Sequence, residues 1–176
     1  MGDLDVVDES DNVIGKADYK VIHSQGLRHR SVQIFVFQEP EWENLFVTER
    51  SLKQKVSANL LQHSAAGHVR LGQSYEYAAR VQLKQELFAK YTELPSGITL
   101  VEIVRYQNDS RDTNRENTCL FGCDYRGEFS LGKEVGNLYW QNRYELWEDM
   151  QRNPDRYTFT FKNAMREFRK HKQEQI

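Results

Sequence analysis

Two stretches of this 176-residue chain carry residue types and spacings that could do chemistry. The first is GHVRLGQSYEYAARVQLKQEL, Gly67 to Leu87. Gly67 and Gly72 can form a backbone turn that enters a helix, where unpaired N–H groups and the dipole favour a phosphate oxygen. Two glycines at this spacing are equally at home in an ordinary loop. The helix that follows carries Glu86, with Gln82 four residues earlier on the same face and Gln85 as its immediate neighbour. Carboxylates grouped in this way hold Mg or Mn against substrate phosphates. Glutamine is nearly isosteric but neutral, so it offers one carbonyl oxygen and neither offsets the cation's charge nor acts as a base. One carboxylate makes a poor Mg site. Glu76, in the first turn, suits the helix dipole. The second stretch is GLRHRS, where Arg28 and Arg30 flank His29. These arginines could meet a diphosphate or form an exposed basic turn.

The elements that must position these residues are legible from periodicity. Tyr75, Ala78, Ala79, Leu83 and Leu87 recur at helical spacing, so the pattern predicts an amphipathic helix over Ser74–Leu87 with Ser74 as N-cap. Leu4–Val7 and Val13–Ala17 read as short strands joined by an acidic turn at Asp11-Asn12. The alternating RSVQIFVFQ predicts a strand over Ser31–Phe37 that forms a hairpin with the returning LFVTERS. Val56–Ala66 reads as a loop. GITLVEIVRYQ, ENTCLFGCDY and EVGNLYWQ read as strands, and Arg143–Gln151 and Asn163–Lys172 as helices separated by Pro154. Hairpin, helix, strands and helices in that order make a mixed α+β chain rather than a βαβ repeat.

Composition excludes several functions. A net charge of -2 with no basic stripe argues against general nucleic-acid binding. No run approaches the length of a membrane span and the acidic N-terminus is no signal peptide, so the expectation is a cytoplasmic protein. Cys119 and Cys123 share one face of an apparent strand about 13 Å apart, beyond disulfide reach, and are expected to be buried free thiols. Tyr139 and Trp140 either line the core or stack on a base, with the core reading favoured.

Gly67-x5-Gln73-x7-Val81-Gln82-Leu83-Lys84-Gln85-Glu86 resembles the Nudix box, whose pattern is Gly-x5-Glu-x7-Arg-Glu-aliphatic-x-Glu-Glu-x-Gly. VVDESDNVIGKADYKVIHSQGLRHRSVQIFVF is similar to the N-terminal part of the isopentenyl-diphosphate-isomerase-like branch. GKEVGNLYW, YELWEDM and NPDRYTFTFKNAMREF are similar to its C-terminal part, so the likeness touches most of residues 4–169. It implies an α+β fold, a Nudix-type mixed β-sheet packed between helices, as a single domain over residues 1–176. Gln73, Gln82 and Gln85 stand where the family has glutamates, Val81 where it has arginine and Phe88 where it has glycine. Leu83 and Glu86 fit, and Arg80 lies one residue early, about 100° round the helix.

The resemblance also implies site residues. In the isomerase-like branch histidines and glutamates hold metal, and His23, His29, His68 and Glu116 stand at or near comparable positions. Such a set suits Zn, Mn or Fe better than Mg. Glu134 matches an acidic position that supplies a general base or a further metal ligand; taken alone it is a solvated loop glutamate. Ala66 stands where the branch has its catalytic cysteine, and Thr118 replaces the carboxylate two positions beyond Glu116. An alanine cannot transfer a proton to carbon, so isomerase chemistry is not expected.

The expected function is a diphosphate-binding or interaction module with a degenerate metal site and little or no catalysis. The alternative is a divergent metal-dependent hydrolase of a diphosphate-linked metabolite, with Glu86 and Glu134 as its catalytic carboxylates. Ligand contacts are expected from Gly67, His68, Gly72, Arg28 and Arg30. Glu86, Glu116, His68, His23 and His29 are the expected metal ligands, for Mg or Mn ahead of Zn. The expected partner is a small diphosphate-containing molecule, with no membrane.

Overall fold

The computed structural model describes residues 2–53, 57–110 and 113–173. β1 (Asp3–Val7) and β2 (Val13–Asp18) pair antiparallel. Their turn is closed by Asp8, whose Oδ1 accepts the N–H groups of Ser10 and Asn12 at 2.9 Å each. A short helix follows that the sequence pattern does not predict, α1 (Tyr19–Gln25). Asp18 caps it by accepting the Lys20 N–H at 2.8 Å, and Gly26 ends it at φ 64°. Seven residues with Ile22 alone fully buried are too few for a readable helical period.

β3 (His29–Phe37) is the organising strand. It pairs with β1, with β4 (Asn44–Arg50), with β6 (Ala65–His68) and, parallel and in full register, with β8 (Glu116–Asp124). β5 (Leu61–Gln62) pairs with β4, and β7 (Val101–Gln107) lies antiparallel to β8. β9 (Val135–Asn142) runs the length of β4. The expected β3–β4 hairpin is therefore reduced to the single pair Phe37↔Leu45, because β4 turns away to find its long partner in β9. The segment expected to be loop holds β5 and the start of β6; Val56 itself lies outside the described residues.

α2 (Tyr75–Leu87) is capped by Ser74, whose hydroxyl accepts the Tyr77 N–H at 3.2 Å. It buries Ala79, Leu83 and Leu87 against Val32, Ile34, Val36, Cys119 and Phe121 on one face of the sheet. The other face carries Phe35, Phe37, Val47 and Leu120 under α3 (Arg143–Arg152) and α4 (Phe159–His171). α4 begins four residues before the predicted Asn163, because Thr158 caps it and Phe161 is buried in the core. The result is a mixed sheet between helices, of α+β class. Cys119 and Cys123 are buried and free.

Candidate metal centre

Strand alternation sends His29, Ser31, Gln33, Phe35 and Phe37 to the α3–α4 side of β3, and register fixes their neighbours. His29 lies beside Glu116 of β8, and Ser31 lies between Thr118 of β8 and His68 of β6. α1 brings His23 over the same end of the sheet. The ligand nitrogens of His23, His29 and His68 all lie within 4.8 Å of one another. Glu116 Oε1 is 3.7 Å from His29 Nε2 and 3.6 Å from His68 Nε2. Four residues from four elements thus converge.

Their protonation suits a cation. His29 Nδ1 lies 3.0 Å from the Leu27 carbonyl, which calls for an N–H there and turns Nε2 towards Glu116. Among the described residues that buried Nε2 has no hydrogen-bond partner, and neither has His23 Nε2. Burial lowers His68 to about 4, against the opposing charge of Glu116. Burial also lowers His23, with His29 acting in the same direction. Burial would raise Glu116, yet the His29 imidazole 3.7 Å away, the charge of His68 and the Ser31 hydroxyl together hold it below the ordinary value. The Asn108 amide donates to Glu116 Oε2 at 3.2 Å. His23 and His68, held by burial below the ordinary imidazole value, beside a Glu116 carboxyl held low, fit a divalent ion. Tyr19 covers the group, its ring centroid 4.4 Å from that of His23 and 5.2 Å from that of His68.

The other expected residues divide. Glu86 is buried on α2, where its Oε1 accepts the Ala66 N–H at 3.0 Å. Burial pushes its carboxyl up to about 8; the Ala66 N–H and Arg50 oppose this and Glu134 reinforces it. Glu134 itself is exposed, and its charge is felt at both Glu86 and Tyr19. β6 therefore links the two groups, with His68 in the histidine cluster and Ala66 bonded to Glu86. Gly67 sits in β6, where any Cβ would fall 2.3 Å from the Gln82 side chain.

Gly72 points elsewhere, its N–H bonded to Asp5 Oδ2 at 3.1 Å. Arg28 forms a two-pronged pair with Asp109 at 2.9 and 2.8 Å. Arg30 lies on the α2 side of the sheet, paired with Asp11 at 2.8 Å and set over the Tyr75 ring. Neither arginine joins the histidines. Glu76 is exposed and pairs with Arg80. Tyr139 and Trp140 are partly exposed; Trp140 packs on Phe46 at 4.6 Å, and Tyr139 donates to Glu49 at 3.0 Å. Gln33, Tyr106 and His63 beside the cluster were missed by sequence reasoning. The period-two alternation through His29, Ser31 and Gln33 was the available signal.

The chain is 30% identical over 174 residues to isopentenyl-diphosphate Delta-isomerase 2 of Photorhabdus laumondii, an alignment spanning 92% of this chain and 89% of that protein. It is 40% identical over 85 residues to an uncharacterized Nudix hydrolase of Nostoc, covering 48% of this chain and 49% of the relative. Among solved structures, DR0079 from Deinococcus radiodurans superposes with a TM-score of 0.77 at 20% identity, covering 93% and 97% of the two chains. No family model matches the chain. With that fold and those relatives, the chain belongs to the Nudix superfamily, in the isopentenyl-diphosphate-isomerase-like branch.

Proposed function

We propose that this protein binds a divalent cation through His23, His29, His68 and Glu116 and uses it to hold a diphosphate-bearing small molecule, with little or no turnover. The observation that carries the reading is the convergence of the His23, His29 and His68 imidazoles on Glu116, with His23 Nε2 and His29 Nε2 buried and unpartnered among the described residues. Three nitrogens and one oxygen favour Mn, Fe or Zn over Mg. A cation there would offset phosphate charge. The partly exposed His68 and Ala66 give the organic ligand its approach. The Ala66 methyl and the Thr118 hydroxyl, which is bonded to Ser31 at 2.7 Å, offer no group suited to moving protons on and off carbon. On α2, Gln82 and Gln85 leave Glu86 as the lone carboxylate of its turn, so this helix contributes little to a metal site.

A second reading, weak hydrolysis, is favoured by Glu86. A buried carboxyl poised at about 8 near Glu134 has the basicity of a general base at neutral pH.

Calorimetry with Mn is the test. The wild type should bind Mn, and His29→Ala and His68→Ala should each weaken binding by about tenfold or more. Inorganic pyrophosphate should bind only once Mn is present. Absence of Mn binding, or its loss on Glu86→Ala and not on His68→Ala, would overturn the reading. Mn-dependent release of phosphate from nucleoside-diphosphate compounds, abolished by Glu86→Gln, would favour the hydrolase.

A further inference from the structure

Among the described residues, three of the longer strands leave one edge uncovered: β2, β7 and β9, which pair only with β1, β8 and β4 respectively. An uncovered edge is a template for another chain, and charges or bulges along it discourage pairing. β2 carries Lys16 and Asp18. β7 carries Glu102 and Arg105, and its register is broken between Glu102 and Val104. β9 has no charged residue and no proline in its eight residues, although 28% of the chain is charged. Its register is regular from Asn137 to Asn142. Tyr139 and Trp140 of β9 are 42% and 37% exposed, and Tyr144, in the first turn of α3, is 45% exposed. β9 is the long edge left unprotected.

The ladder to β4 fixes where the backbone groups of β9 point. The Arg143 N–H donates to the Glu43 carbonyl at 2.8 Å, so Gln141, Tyr139 and Asn137, at alternate positions, also turn their backbone groups towards β4. Leu138 and Trp140 turn theirs away, where no described residue meets them.

From this edge we infer that the protein forms a two-fold symmetric dimer in which β9 pairs antiparallel with β9 of a second copy, centred on Tyr139. The strand is its own complement, which is what selects a second copy as the occupant. About Tyr139, Leu138 falls opposite Trp140 of the second copy, and the two exchange both of their backbone hydrogen bonds. Tyr139 falls opposite its own equivalent, and Asn137 falls opposite Gln141, amide to amide. No like charges oppose one another along the paired stretch. Its flanks carry both signs, Lys133 and Glu134 before β9 and Arg143 and Glu145 after it, and antiparallel pairing sets one flank beside the other flank of the second copy. The exposed rings of Tyr139, Trp140 and Tyr144 supply apolar area beside the new ladder. The inference does not depend on the cation-and-diphosphate reading.

Sedimentation velocity across a dilution series tests it. The 20.8 kDa chain should sediment as a dimer at the concentrated end and dissociate on dilution. Asn137→Lys/Gln141→Lys sets lysine against lysine at both ends of the paired stretch and should raise the dimer dissociation constant about tenfold or more. Asn137→Lys/Gln141→Glu sets opposite charges there and should return it to within about threefold of the wild type. The Asn137 amide donates to Glu49 at 3.0 Å, so a lysine at that position keeps a partner within its own chain. The Tm reports that each variant folds. Should the double lysine variant melt early, Tyr139→Lys, which sets lysine against lysine at the two-fold axis, carries the comparison. A single 20.8 kDa species at every concentration would overturn the inference. So would a dimer that neither double variant weakens, because it is built on another surface. Equal weakening in both would overturn it too, because pairing in this register requires opposite responses.

Discussion

Two buried carboxyls, Glu86 and Glu116, are driven in opposite directions by their surroundings. Glu116 has imidazoles, a hydroxyl and an amide around it, whereas Glu86 has one backbone N–H and the like charge of Glu134 nearby. Glu86 stands at about 8 in the fold against an ordinary value of 4.5. Its contribution to stability is therefore complete below the unfolded value and is lost as pH rises through about 8. Glu86→Gln, which stays neutral, should gain on the wild type as pH rises from about 5 to about 9, by up to ~1.4 kcal/mol per unit traversed. Thermal melts across that range check it, and a variant that loses ground at high pH would refute the burial argument.

The histidines have the opposite sign. His63 and His68 fall to about 3 and about 4 from 6.5, so what they contribute is complete above 6.5 and is lost as pH falls towards those values. Glu116, held below 4.5, adds to the loss at the acid end. The Tm should therefore fall between about pH 6.5 and about pH 4, and His63→Phe should flatten that slope.

At the scale of elements, α2 and the segment before β9 are locked by backbone. The Gly132 N–H donates to the Glu86 carbonyl at 2.7 Å, and a Cβ at Gly132 would fall 2.2 Å from the Gln85 carbonyl oxygen. No rotamer relieves that clash. Gly132→Ala should cost about 2–4 kcal/mol in urea unfolding and shift Glu134 relative to Glu86. Gly67→Ala meets only the far end of the flexible Gln82 side chain, so it should cost less. Equal losses in the two variants would show that backbone contact is not the deciding factor.

Over the whole molecule, the candidate ligands come from α1, β3, β6 and β8, segments separated by up to most of a hundred residues of chain. A cation held among them ties these segments together in the folded state alone, so saturating Mn should raise the Tm by several degrees. His29→Ala should shrink the rise while leaving a folded protein. The α2 side offers a second, separable outcome. Gln82→Glu/Gln85→Glu places two new charges near Glu86, and calorimetry should then find a second Mn per chain. Stoichiometry unchanged at one would show that position 82, packed against Gly67, cannot turn its carboxylate to an ion.

Local pattern determined much of this protein by itself. The α2 stripe, its Ser74 cap and the strands through Phe37 and Cys123 follow from side-chain periodicity, which acts over a few residues. The likeness to the isomerase-like branch named the histidines and Glu116 together, while local residue chemistry pointed also to Arg28, Arg30 and Gly72. Tertiary structure separated these groups: strand alternation turns His29 and Arg30 to opposite faces, and Asp109, Asp11 and Asp5 engage Arg28, Arg30 and the Gly72 N–H. α1 and β6 were illegible because one is too short and the other too small-sided to show a period. The parallel pairing of β3 with β8, across nearly ninety residues, then put Glu116 beside His29 and Thr118 beside Ser31. Pairing over such a distance is set by burial of both faces at once, and no window of sequence contains it.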